Sequence, residues 1–262
     1  MKLNSRQIAL ISVFAAFYYL ASLLPGIPVP GISTVTIQIA ATLAAVFGFV
    51  LGPFLGPAAT LLGVSIAWAL PPGSMSITDL LFIPSPVINA LISGLLFRGR
   101  RKAAAVALGV LIGIFWFTPP VQPVTEFWLV GIAVTFDKIV ALLLIGLVAF
   151  LDKELGIRGP TPPGKTPRPW LEVLRLFMMA FIGNEADNMW GSLIFAAPFV
   201  FSSIFSIDVE TVRFLFLISP FAYPAIRFLQ AIIATIIAAP LLRSLSPNLI
   251  PDIAKHEGAS HI

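Results

Sequence analysis

Apolar residues run through this chain in long blocks, interrupted by Gly/Pro pairs or short charged clusters rather than by the strict alternation of half-buried strands. A membrane-crossing helix needs about 20 mostly apolar residues. Eight blocks come near that length, at 8 to 24, 37 to 51, 54 to 70, 78 to 97, 103 to 119, 128 to 150, 174 to 203 and 212 to 243. The pattern predicts an all-α, polytopic helical membrane protein of six to eight transmembrane helices, eight by this count. The second and third blocks are short and meet at Gly52-Pro53, and the seventh is long enough to need a tilt or a kink, for which Pro198 is the obvious site. Residues 1–246 then form one bundle with a cytoplasmic linker at 151–172 inside it, and 247–262 form a polar tail.

The basic residues orient this arrangement. With the N-terminus inside, the inner segments hold Lys2 and Arg6, then Arg98, Arg100, Arg101 and Lys102, then Lys153, Arg158, Lys165, Arg168 and Arg175, and finally Arg243 and Lys255. That is thirteen of the 16 lysines and arginines, whereas the outer segments near 25–36, 71–77, 120–127 and 204–211 hold none. The positive-inside rule therefore places both termini in the cytoplasm of a multi-pass protein of the cell membrane. The first block resembles a secretory signal but runs to Leu24 and meets Pro25-Gly26 without a small-residue cleavage site, so it is read as the first span.

Composition agrees with the pattern: 58% of the 262 residues are hydrophobic and 11% charged, against about 25% charged in a soluble domain, and the mean hydropathy is +0.98. Cysteine is absent and both histidines, His256 and His261, lie in the tail, so thiolate and histidine chemistry within the bundle is excluded. The net charge of +4 belongs to topology and does not indicate nucleic acid. Neither a metal nor a cofactor is expected. The outer segments carry Pro25-Gly26, Pro28, Pro30-Gly31, Pro71-Pro72-Gly73 and Pro119-Pro120, stiff connections that suit either the mouth of a solute site or ordinary tight turns. Small residues at four-residue spacing, such as Gly48, Gly52 and Gly56, predict close helix packing.

Charges inside the apolar blocks are the candidates for function, because the bilayer centre penalises each by about 3 kcal/mol on insertion scales. Asp137 and Lys138 fall near the middle of the sixth block, Glu185 and Asp187 in the seventh and Arg227 at mid-depth in the eighth. Arg227 is expected to pair with Asp187 or Glu185. Asn184 and Asn188 share a helix face with Asp187, and Trp190 follows. Two readings fit: an ion-pair network that fixes helix register, or a lining for a polar small molecule with an aromatic ring. Asp79 and Glu126, in outer halves or loops, are further candidates to complete a site.

Two apparent catalytic motifs fail on chemistry. Residues 159–166 match G-x-x-x-x-G-K-[ST], but three of the four intervening residues are prolines without the N–H groups a phosphate loop needs. Gly63-Val64-Ser65-Ile66-Ala67 lies in a span with no histidine to activate the serine.

The run Phe47-Gly48-Phe49-Val50-Leu51-Gly52-Pro53-Phe54-Leu55-Gly56-Pro57, the Pro/Gly loop after it, the stretch Ile92 to Lys102 and Phe221-Ala222-Tyr223-Pro224-Ala225-Ile226-Arg227 resemble the substrate-binding S components of energy-coupling factor (ECF) vitamin transporters. The resemblance implies a subunit that binds a vitamin or similar micronutrient at its outer mouth. It would partner with a transmembrane coupling subunit and two cytoplasmic ATPases. Family members usually have six spans, and many carry Ala-x-x-x-Ala in the first helix, where this chain has Ser5/Ala9 and Ser12/Ala16. A self-sufficient ion-coupled transporter, with Asp137, Glu185 or Asp187 carrying the ion, is the alternative, followed by an intramembrane enzyme that uses the carboxylates.

Overall fold

The computed structural model describes residues 3–29, 32–71, 73, 75–156 and 169–245, with the backbone alone for 27–29 and 32–37. The phosphate-loop look-alike at 159–166 and the tail at 247–262 lie outside the described residues. The helices are α1 (Ser5–Ser22), α2 (Thr42–Ala69), α3 (Ile77–Phe82), α4 (Pro84–Phe97), α5 (Arg101–Phe115), α6 (Val124–Glu154), α7 (Pro169–Phe195), α8 (Val209–Ile218) and α9 (Tyr223–Leu245). Asn4 starts α1 with a reciprocal capping box to Gln7.

Between α1 and α2 the otherwise helical structure carries one short hairpin. Strands β1 (Ile27–Val29) and β2 (Ile32–Ile37) pair antiparallel, with Ile27 opposite Ile37 and Pro28 opposite Thr36. The β-branched run Ile32-Ser33-Thr34-Val35-Thr36-Ile37, bounded by proline and glycine, has the composition of a short strand.

α2 is two helical arms that meet at Gly52. Gly52 has φ 84° and ψ −177°, a conformation essentially reserved for glycine, and the chain folds back there. A Cβ built on Gly56 would stand 2.8 Å from the Phe47 carbonyl oxygen and 3.0 Å from Gly48 Cα, positions about 13 Å from it in a straight helix. The second and third apolar blocks are thus the arms of a helical hairpin. Its turn sits at the Arg98–Arg101 end of α4: Gly94 presses on Pro53 N, and the Arg100 guanidinium lies 5.6 Å above the Phe54 ring.

Prolines place the other breaks. α3 gives way to α4 at Pro84. α7 ends at Phe195, and a π-helical turn, Phe199–Ile204, follows Pro198, where the sequence predicts the kink. The eighth block is not one rod, because Pro220 occupies a 3-10 turn (Ser219–Phe221) and α9 starts afresh at Tyr223. Arg227 therefore lies one turn into α9 rather than at the middle of a long helix.

α2 packs most closely on α4, α4 on α7, and α7 touches α2, α4, α5, α6 and α9, which makes it the central helix. Glycines permit these approaches. A Cβ on Gly48 would stand 2.8 Å from Gly94 N, and one on Gly183 would strike the Asn89 and Ser93 side chains. The outer faces of the bundle are apolar: along α6, Ile132, Phe136, Ile139, Val140, Leu143, Leu147 and Phe150 are all exposed. Among the described residues four helices, Ile39–Ala69, Ile77–Phe97, Val124–Glu154 and Tyr223–Leu245, are long and apolar enough to cross a membrane. Exposed apolar stripes of this extent suit lipid rather than water, and the chain is read here as a membrane protein.

Candidate functional site: a buried polar cluster around α7

The segment Gly183 to Met189 of α7 is buried throughout. Gly183 lets α4 come close enough for Asn89 to meet α7, and from there a chain of hydrogen bonds ties three helices. Ser93 Oγ donates to Asn89 Oδ1 (3.0 Å), Asn89 Nδ2 donates to Asn184 Oδ1 (2.7 Å) and Asn184 Nδ2 donates to the Arg227 carbonyl oxygen (3.3 Å). α4, α7 and α9 are thereby held at one level.

Charges from α6, α7 and α9 gather beside this chain. Lys138 Nζ lies 2.9 Å from the carboxylate of its neighbour Asp137 and 3.5 Å from Glu185 Oε2. Arg227 Nη1 lies 3.7 Å from Asp187 Oδ2 and donates to Gln230 Oε1 at 2.9 Å. Glu185 feels the charges of Lys138, Asp137 and Arg227 together, so the two ion pairs form one cluster. Tyr18 of α1 lies within electrostatic reach of Asp187, and Tyr223 within that of Arg227.

Sequence reasoning named most of this cluster, and the Arg227–Asp187 pairing is present as expected. Trp190 is half-buried one turn beyond Asp187. Asp79 and Glu126 are not part of the cluster: both are exposed in the first turns of α3 and α6. Tyr18 and Gln230 were missed. A lone Tyr or Gln in an apolar block carries no periodic signal, although Gln230 lies three residues after Arg227 and so on its helix face.

Several polar atoms in or beside the cluster lack hydrogen-bond partners: both Glu185 carboxylate oxygens, Asn188 Nδ2, Arg227 Nε and the Trp190 indole N–H. Glu185 is 0% exposed and Asn188 and Arg227 are each 5% exposed. Unsatisfied groups of this kind cost about 1–3 kcal/mol each, so several of them in one cluster are groups in want of a partner.

Two other polar clusters are held by ion pairs, although the first also leaves Asp152 Oδ2 and Arg101 Nε without hydrogen bonds. Asp152 on α6, 1% exposed, lies 2.5 Å from Arg175 Nε on α7 and 3.2 Å from Arg101 Nη2 on α5. On the opposite side, Arg213 of α8 donates to the carbonyl oxygens of Pro120 (3.0 Å) and Gln122 (2.9 Å), pairs with Glu210 and lies 3.3 Å above the Phe127 ring. Among the described residues no group of three or more His, Cys, Asp or Glu side chains is placed to hold a metal ion. Comparison with protein-family models, with curated proteins and with solved structures gave no match.

Proposed function

We propose that this chain is a membrane-embedded solute-capture subunit of an ECF-type importer, with eight spans, both termini cytoplasmic, and a vitamin or similar micronutrient bound from the outer side. The observation that carries this reading is the set of buried, unpartnered polar atoms on Glu185, Asn188 and Arg227, joined to the Asn89–Asn184 hydrogen-bond chain. A structural ion-pair network gains most when its members satisfy one another, and this one leaves donors and acceptors open. In the proposed topology Tyr18 near the end of α1 and Arg227 at the start of α9 lie in the outer half of the bundle, on the side a captured solute comes from. Transport would then depend on a transmembrane coupling subunit and two ATPases supplied by other chains.

Mass spectrometry of small molecules released on denaturing the purified, detergent-solubilised protein tests this directly. The expected result is one stoichiometric micronutrient-like compound, absent from Asp187→Ala. An empty protein that binds no member of a vitamin panel would overturn the reading. The second reading, ion-coupled transport, is favoured by three carboxylates facing only two cations in the cluster. It predicts uptake by the chain alone in proteoliposomes, driven by a proton or sodium gradient without ATP.

A further inference from the structure

Resting on the capture reading, we infer that the cluster selects an organic monocation: a solute with a positively charged, N–H-bearing group against Glu185 and hydrogen-bond acceptors against Asn188 and Arg227. The charges pair unequally. Lys138 Nζ lies 2.9 Å from Asp137, its sequence neighbour, and that pair is locally neutral. Arg227 faces Asp187 at 3.7 Å. Glu185 is the odd carboxylate, 0% exposed, with Lys138 Nζ no nearer than 3.5 Å, the Asn188 side chain beside it and no well-formed hydrogen bond to either oxygen. With every group ionised the cluster holds one excess negative charge inside the bundle, where charge is costly unless paired.

A bare cation at Glu185 would balance the charge but not the hydrogen bonds. Asn188 Nδ2 and Arg227 Nε are donors without acceptors, and a proton or a sodium ion offers them nothing. A neutral or anionic solute has the opposite defect, satisfying the donors while leaving Glu185 uncompensated. A ligand with a cationic donor group at one end and acceptor atoms at the other completes both at once. The carboxylate also pairs well with two parallel N–H groups of a planar amidine-like or aminoheterocyclic cation, and Trp190, whose N–H is likewise unpartnered, stands one turn away on the Asp187 side of α7.

The test uses the full chain in detergent. Thermal shift and calorimetry are run with 4-amidinobenzamide as a planar monocation that carries charged N–H donors at one end and an acceptor at the other, pyridoxine as a neutral ring, and biotin and pantothenate as anions, and the net charge of any co-purifying solute is read from its identified mass. The expected result is that the released solute is a monocation and that 4-amidinobenzamide, alone among the probes, shifts the melting temperature. In Glu185→Gln the affinity for the cation falls at least tenfold while that for pyridoxine holds or rises. Such a reversal of charge preference is not produced by a purely structural role. A bound anionic or neutral solute, or a Glu185→Gln protein with unchanged preference, would sink the monocation inference and leave the capture reading standing. A wild-type protein that releases nothing and responds to no probe would remove both. Should Glu185→Gln fail to fold, the wild-type panel and released solute decide alone.

Discussion

At the scale of single residues, the energetics turn on which polar groups have partners. Asp152 holds two arginines on two other helices from a site that is 1% exposed, so removing its charge strands Arg175, itself 4% exposed. Breaking such a buried pair costs about 3 kcal/mol. Asp152→Asn should therefore lower stability by about that amount in reversible unfolding in detergent, whereas Glu172→Gln, in a half-exposed pair with Arg243 at 3.7 Å, should change it by less than about 0.5 kcal/mol. Asp208 behaves differently because it lies in water at the start of α8. Its carboxylate accepts from Thr211, by the hydroxyl first and then by the backbone N–H at 2.8 Å, and these bonds hold its pKa below the ordinary carboxylate value. A lowered folded pKa means the cap is fully formed above the unfolded value of about 3.9 and is lost as pH falls through the lower folded one. Hydrogen exchange at the Thr211 amide should thus be protected at pH 6, lose protection in that acid range, and in Asp208→Ala be unprotected at both. A wild-type amide unprotected at pH 6 would refute the cap.

At the scale of elements, glycines decide how closely helices approach. Gly94 and Gly48 face each other across α2 and α4, and any Cβ there meets backbone rather than a flexible side chain: Gly94 would meet Pro53 N at 2.8 Å and Gly52 C at 2.9 Å. Overpacking of this kind costs about 1–3 kcal/mol. Gly109 in α5 has open space where its Cβ would be, and alanine in a helix interior is favoured over glycine by about 0.5–1 kcal/mol. Gly94→Ala should therefore melt lower than wild type and Gly109→Ala the same or slightly higher; equal losses in both would mean the α2–α4 seam is not tight. The sequence pattern shows the breaks at Gly52, Pro84 and Pro198, since glycine and proline announce themselves. It does not show how far the chain turns: a Gly-Pro pair permits a kink or a full reversal, and only the packing of Gly56 on Phe47 distinguishes them. The β1–β2 hairpin was legible in the β-branched residues 32 to 37, but the surrounding apolar blocks outweighed six residues of strand character.

For the whole molecule, the candidate site was legible because intramembrane charges are rare and stand out one at a time. Their joining into one cluster was not, since it depends on α7 lying between α4, α6 and α9. Orientation can be argued from the same charges. The turn of the α2 hairpin lies beside Arg100, and α4, α5, α6 and α7 all bring arginine or lysine to that end through Arg98, Arg101, Lys153 and Arg175. Arg213, near the other end, is neutralised by Glu210 and bound to loop carbonyls, so it adds little free positive charge there. The two α2 arms enter and leave on the same side, so the orientation of every later helix does not depend on their depth. With no native cysteine, single cysteines can be introduced without background. In intact cells a membrane-impermeant maleimide should label Thr125→Cys, at the start of α6, and leave Lys102→Cys and Ser244→Cys unmodified until the membrane is permeabilised. Labelling of Lys102→Cys or Ser244→Cys from outside, or protection of Thr125→Cys, would invert the bundle. The Glu185 cluster would then lie toward the cytoplasmic face, and a role in capturing solute from outside would no longer fit it.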